Sequence, residues 1–137
     1  MRKVTALVGR IADTADRWKS EEMKKVLVAD DEEVLRKMLR KFLERLPLEV
    51  QEAGDGEQAL VLVLAGAFDL VITDYQMPGL DGLALIAACR QKHLRLPFIL
   101  ISGEQPENVE RHDEIYFLKK PFSGGDLVSL VRFILRL

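Results

Sequence analysis

The stretch Phe68-Asp69-Leu70-Val71-Ile72-Thr73-Asp74 decides the fold. It is a short apolar run, rich in β-branched residues, that stops at a carboxylate. A run this short and this apolar, bounded by polar residues, reads as a strand buried on both faces. Two other runs share its form. Val26-Leu27-Val28-Ala29 ends in the acidic pair Asp30-Asp31, and Tyr116-Phe117-Leu118 ends in Lys119-Lys120-Pro121. Helical patterns separate the runs, so the strands are expected to lie parallel in one sheet. Ligands of such sheets bind in the crevice beyond the carboxyl ends of the strands. Asp30, Asp31, Asp74 and Lys120 would therefore meet at one edge.

Outward from these runs, the alternation continues from Lys24 to the end of the chain. Strands are expected at Lys25 to Ala29, Leu48 to Glu52, Asp69 to Thr73, Pro97 to Ser102 and Ile115 to Leu118. Helices are expected at Glu32 to Leu46, Glu57 to Ala65, Gly82 to Lys92 and Ser123 to Leu137. Pro47 stops the first helix, Gly66 closes the second, and Ser123-Gly124-Gly125-Asp126 has the form of a capping box. The class is α/β: a five-stranded parallel sheet covered by helices on both faces. One connection is poor in apolar residues. Gly103 through Glu114 holds a single aliphatic residue, Val109, so any helix there is short. Residues 1–22 read as a separate amphipathic helical extension. Val4, Val8, Ile11, Ala15 and Trp18 form one narrow apolar stripe, with Leu7 alongside. Such a helix either packs on its own domain or serves as a linker or dimerising element.

The 137 residues are 48% hydrophobic and 31% charged, the size and balance of one globular domain. A net charge of −2 gives no basic field for nucleic acid. No apolar run nears the roughly 20 residues that cross a bilayer, and Met1 to Ser20 lacks a signal-peptide core. The cytoplasm is the expected compartment. Cys89 is the only cysteine, which excludes an internal disulfide and a cysteine metal cluster.

Three carboxylates gathered at one strand edge repel one another. Mg²⁺ resolves that repulsion, because it takes oxygen ligands and keeps several waters. Asp74 can act as a nucleophile toward phosphorus, becoming an acyl phosphate. The metal, Lys120 and the hydroxyl of Ser102 would then balance charge on the phosphoryl oxygens.

Four segments carry a family resemblance: Val26 to Glu32, Asp69 to Gly82 with its Asp74-Tyr75-Gln76-Met77-Pro78-Gly79, Ile99 to Gly103, and Phe117 to Phe122. In order and spacing they resemble the receiver domain of two-component response regulators, over residues 24–137. The resemblance implies a CheY-like, flavodoxin-like doubly wound sheet of order 2-1-3-4-5. It implies a phosphorylation-activated signalling switch rather than a turnover enzyme. Asp74 would be the phosphoacceptor. Asp31, Asp74 and the backbone carbonyl of Gln76 would ligate Mg²⁺ directly, and Asp30 would act through a metal-bound water. Lys120 would pair with the phosphoryl group across a cis Lys120-Pro121 bond, and Ser102 and Phe117 would be the switch pair. The implied partners are a histidine kinase or histidine phosphotransfer protein and a downstream protein target. No direct nucleic-acid contact and no membrane are expected.

The chain departs from the family pattern between Ser102 and Phe117. The fourth helix is expected to be shortened, and Asp113-Glu114-Ile115-Tyr116 stands where a Gly-Ala pair usually precedes strand 5. Any homodimer would then use a non-standard surface. Gly82 is expected to serve as a backbone position needing conformational freedom. With Leu127, Leu130, Val131 and Ile134 facing the sheet, Phe133 points away, as a lone exposed aromatic or a contact for a partner or the N-terminal helix. No DNA-binding pattern follows the final helix, so the sequence is expected to be either a stand-alone receiver acting through protein contacts or a piece of a hybrid histidine kinase or larger regulator, with residues 1–22 then the tail of an upstream helical linker. A haloacid-dehalogenase-like phosphohydrolase needs a second Asp two residues after the nucleophile, where this chain has Gln76. A flavin protein needs a Ser/Thr/Gly phosphate loop where this chain has Asp30-Asp31-Glu32-Glu33. The remaining alternative is a phosphorylation-independent protein-binding module of the same fold.

Overall fold

A computed structural model describes residues 23–104 and 114–137. The helices expected over residues 1–22 and between Ser102 and Ile115 fall outside the described residues. In chain order the elements are β1 (Lys24–Ala29), α1 (Glu33–Leu43), β2 (Leu48–Ala53), α2 (Gly56–Ala65), β3 (Leu70–Asp74), α3 (Gly82–Gln91), β4 (Phe98–Ser102), β5 (Ile115–Lys119) and α4 (Gly124–Leu135). The strands form one parallel sheet of order β2-β1-β3-β4-β5.

Alternation along each strand splits the core into two layers. Val26, Val28, Leu70, Ile72, Ile99 and Ile101 turn to one face, against Leu39 and Leu43 of α1 and Leu127 and Val131 of α4. Leu27, Ala29, Val71, Phe98 and Leu100 turn to the other, against Ala59 and Val63 of α2 and Leu85, Ile86 and Cys89 of α3. Every residue of β3 is buried. A strand covered on both faces needs apolar residues at every position, which is why its sequence runs unbroken instead of alternating. Each fully buried Val, Leu or Ile contributes about 1.5–3 kcal/mol.

Element ends follow local chemistry. Asp55 and Asp81 cap α2 and α3 by accepting from Gln58 N and Ala84 N. The expected capping box on α4 is present, with Asp126 N donating to Ser123 Oγ at 3.0 Å and Ser123 N donating to Asp126 Oδ2 at 3.2 Å. α1 ends at Leu43, three residues short of the expected Leu46. Residues preceding proline disfavour helical geometry, and the chain tightens ahead of Pro47 through Leu46 N to Leu43 O at 3.0 Å. Leu46 remains in the core although it has left the helix.

Gly82 is needed for space. It has no positive φ; the left-handed glycine of this loop is Gly79, at φ 76°. A Cβ on Gly82 would stand 2.6 Å from Leu100 Cδ1 and 2.7 Å from the Asp74 carbonyl oxygen. Gly82 N also donates to Tyr75 O at 2.8 Å, which closes the loop after β3. Gly82→Ala is expected to cost about 2 kcal/mol through overpacking, read by urea denaturation. Gly103→Ala, where an added Cβ meets nothing within 4 Å, is the control, with an expected change under about 0.5 kcal/mol.

Candidate functional site

β1 and β3 are adjacent and in register, with Ala29 opposite Thr73. Their next residues, Asp30 and Asp74, therefore emerge side by side at the carboxyl edge of the sheet. Asp30 is 2% exposed and Asp74 7%. Asp31 follows on the exposed side. One carboxylate oxygen from each of the three lies within 4.8 Å of the others. Across the next two strands, Ser102 of β4 pairs with Lys119 of β5. Lys120 N donates to Ser102 O at 2.9 Å, and Lys120 Nζ lies 3.0 Å from Asp74 Oδ1. The Lys120–Pro121 peptide is cis. Lys119, one residue earlier, is exposed.

The acidic turn is held from two sides. Asp30 Oδ1 accepts from Glu32 N at 2.9 Å. The Asp30 carbonyl accepts from Arg36 Nη1 at 2.8 Å. Burial pushes the Asp30 carboxyl up to about 6; the Glu32 N–H opposes the shift, Asp74 adds to it, Lys120 opposes it, and Asp31 adds to it. Asp74 itself sits in a fixed frame. Thr73 Oγ1 donates to the Asp74 carbonyl at 3.0 Å, and Tyr75 N donates to Ile101 O at 2.8 Å.

The other expected site residues take distinct places. Gln76 is exposed in the loop beyond β3, while the neighbouring Met77 anchors that loop in the core. The Ser102 hydroxyl donates to Glu104 O and accepts from Glu104 N at 3.2 Å, so it is engaged by its own turn. Phe117 is half-buried against the layer that holds α2 and α3. Beside Asp30 and Lys120 opens a largely apolar pocket lined by Leu35, Met38, Leu39, Ile101, Pro121 and Phe122.

Sequence reasoning missed Arg36 and Glu52. Arg36 Nε lies 2.9 Å from Glu52 Oε1, so one guanidinium joins the Asp30 backbone to the end of β2. Lys37 and Arg40 each stand 3.1 Å from the same carboxylate. Burial pushes Glu52 up, but hydrogen bonds from these three cations outweigh it and hold the carboxyl below its usual range. A signal was available: an acidic residue next to last in β2, paired in register with Val28, beside a basic residue one turn into α1.

The donor set suits a hard cation. Oxygens within 4.8 Å of one another surround a space on the scale of Mg²⁺, whose ligands sit at about 2.1 Å. Receiver domains typically bind Mg²⁺ at such an acidic pocket.

A parallel sheet of order β2-β1-β3-β4-β5 with this acidic pocket at its carboxyl edge defines the CheY-like fold class. The family model for the response regulator receiver domain matches residues 26–132, and the chain belongs to that family. It is 34% identical over 116 residues to the transcriptional regulatory protein ResD of Bacillus subtilis, covering 82% of this chain and 48% of that protein. It is 30% identical over 115 residues to the transcriptional regulatory protein SrrA of Staphylococcus aureus, covering 81% and 47%. The chain thus spans about half the length of these curated relatives. Among solved structures, the receiver domain of the Francisella response regulator 1452 is 28% identical with a TM-score of 0.75, covering 82% of this chain and 97% of that one. The Vibrio cholerae chemotaxis response regulator CheY4 is 27% identical with a TM-score of 0.72, covering 82% and 98%. Membership of this family gives the chain a two-component signalling role.

Two outcomes follow from the geometry. Arg36→Ala strands the Asp30 carbonyl and is expected to cost about 2 kcal/mol by urea denaturation. A double-mutant cycle with Glu52→Gln should show coupling above about 0.5 kcal/mol. The second concerns pH. Between the ordinary 3.8 and about 6, folded Asp30 keeps a proton that the unfolded chain has lost. Stability therefore falls as pH rises through that window and stays lower above it. Asp30→Asn keeps an acceptor for Glu32 N. In chelator near pH 7 it is expected to gain on the order of 2 kcal/mol, and below about pH 4 nothing.

Proposed function

We propose that this chain is a phosphorylation-activated switch of a two-component phosphorelay, with Asp74 as phosphoacceptor. One observation carries the reading: the ion pair between Lys120 Nζ and Asp74 Oδ1, at 3.0 Å, inside a cluster of three carboxylates. The donor is a histidine kinase or histidine phosphotransfer protein. An oxygen of Asp74 attacks phosphorus; the new P–O bond forms as the P–N bond of the phosphohistidine breaks, and the imidazole leaves with a proton from solvent. Lys120 follows the developing charge from the carboxylate to a phosphoryl oxygen. Asp31, Asp74 and the Gln76 carbonyl would hold Mg²⁺ directly, with Asp30 acting through a water. The bound ion supplies charge neutralisation between carboxylates and phosphoryl oxygens. The apolar pocket beside Asp30 and Lys120 offers a docking partner a surface that excludes water from the transfer.

Ser102 and Phe117 are the switch pair in this reading. Phosphorylation draws the Ser102 hydroxyl from Glu104 to the phosphoryl group, and the Phe117 ring turns inward. The chain catalyses only its own phosphorylation and slow dephosphorylation, and acts in the cytoplasm on a downstream protein, without direct contact to nucleic acid or membrane. Residues 24–137 form the receiver domain and residues 1–22 a helical extension; any homodimer uses a non-standard surface. A second reading, a phosphorylation-independent binding module, has one observation in its favour: the Ser102 hydroxyl is already committed to its own turn.

Incubation with acetyl phosphate and Mg²⁺, read by intact mass, separates the two readings. The expected result is a gain of one phosphoryl group on the wild type, and none on Asp74→Asn or in chelator. A folded chain that gains nothing and fails to bind beryllofluoride would sink the switch and leave the binding module.

A further inference from the structure

α2 is apolar on every side: Ala59-Leu60-Val61-Leu62-Val63-Leu64 runs without a polar residue. A helix of that composition is ordinarily covered all round. Ala59 and Val63 are buried, yet Val61 is 64% exposed and Leu64 47%. The two are three residues apart, on one stripe of the helix. Met23, at 41%, is another exposed apolar residue, where the described chain begins.

Contacts place that beginning beside the C-terminal end of α2. Asp69 N donates to Lys25 O at 2.8 Å, and Lys25 N donates to Asp69 Oδ2 at 2.8 Å. The Lys25 ammonium lies 5.0 Å from the centre of the Phe68 ring. A Cβ on Gly66, the residue that closes α2, would stand 3.5 Å from that ammonium. The start of β1 therefore lies next to the last turn of α2.

We propose that residues 1–22 lay their apolar stripe over Val61 and Leu64 of the same chain. The family match begins at residue 26, so this segment lies outside the matched residues. Its sequence carries Val4, Leu7, Val8, Ile11, Ala15 and Trp18 at helical spacing. Lys19-Ser20-Glu21-Glu22 then gives four polar residues before Met23, a connection that reaches up to about 13 Å. The proposal puts Trp18 against Leu64. As a helix the segment would rise about 1.5 Å per residue, enough to pass the whole of the shorter α2. Other exposed apolar residues fit less well. Val34, 80% exposed, stands at the first turn of α1, by the acidic edge at the opposite end of the strands. Phe133 already has a partner, its ring 6.4 Å from that of Tyr116 in an edge-to-face pair.

Trp18 is the only tryptophan, so the whole chain reports on itself. Emission and iodide quenching of the full-length protein are compared with those of the Val61→Glu, Leu64→Glu double variant, alongside light scattering for mass. Both positions are exposed, and circular dichroism checks that the variant keeps the fold. The expected result is a monomer whose Trp18 emission is blue-shifted and shielded from iodide, both lost in the variant. Emission like that of the urea-unfolded chain in the wild type would overturn the proposal. So would a blue shift that survives the double substitution. A blue shift seen only in a dimer that the variant breaks would hand the surface to a second copy.

Discussion

The repulsion among Asp30, Asp31 and Asp74 is the constraint around which the rest of this molecule is arranged. Their oxygens lie within 4.8 Å of one another, two of the three residues buried. Like charges this close, withdrawn from water, oppose folding. They are kept there by groups with no freedom to yield. Asp30 and Asp74 end two central strands whose preceding residues are entirely buried, so neither can retreat without opening the core. The Glu32 N–H and the Arg36 guanidinium fix the acidic turn, and Lys120 offsets one of the three charges. The site therefore stores an unfavourable charge arrangement that a bound cation would relieve, and the stability of the two core layers sustains it.

That arrangement explains what was legible in the sequence. The sheet could be read because its central strands have no solvent face: Leu70 to Thr73 and Val26 to Ala29 carry no alternation to confuse with a surface element. The site edge could be read because a charge directly after such a run must emerge at the strand end. Other features depend on contacts between distant residues and left no local mark. Gly82 looked like a position needing conformational freedom; its actual constraint is the closeness of Leu100, 18 positions away along the chain, and of the Asp74 carbonyl. Glu52 looked like an ordinary strand-end carboxylate until α1 packed Arg36, Lys37 and Arg40 around it. The end of α1 was misplaced for a different reason. Leu46 is apolar and buried, which keeps the helical pattern going, but Pro47 had already broken the backbone.

The Arg36–Glu52 pair also bears on the electrostatics of the site. An arginine next to three carboxylates could pair with them directly, and would then compete with a divalent cation. Here its Nε is committed to Glu52, and only an N–H reaches the Asp30 carbonyl, a neutral acceptor. Glu52 in turn is saturated by two further cations. The acidic pocket thus gains a rigid backbone anchor while Lys120 remains the cation paired with Asp74.

On the proposed reading, the same hydrogen bonds carry a change at Asp74 outward. Asp74 pairs in register with Ile101, Tyr75 N bonds to Ile101 O, and Lys120 N bonds to Ser102 O. The backbone of all three strand ends is therefore one connected frame, and it cannot bend much. Side chains can move where the backbone cannot. Lys120 can slide from a carboxylate to a phosphoryl oxygen, and Ser102 can exchange the Glu104 backbone for the same group. Once that hydroxyl leaves, the Glu104 N–H and carbonyl lose their partner in the turn after β4. A new charge at Asp74 would thus be converted into a loop rearrangement through a single exchange of hydrogen-bond partners. That exchange is small enough for the differential interaction of one phosphoryl group to drive it.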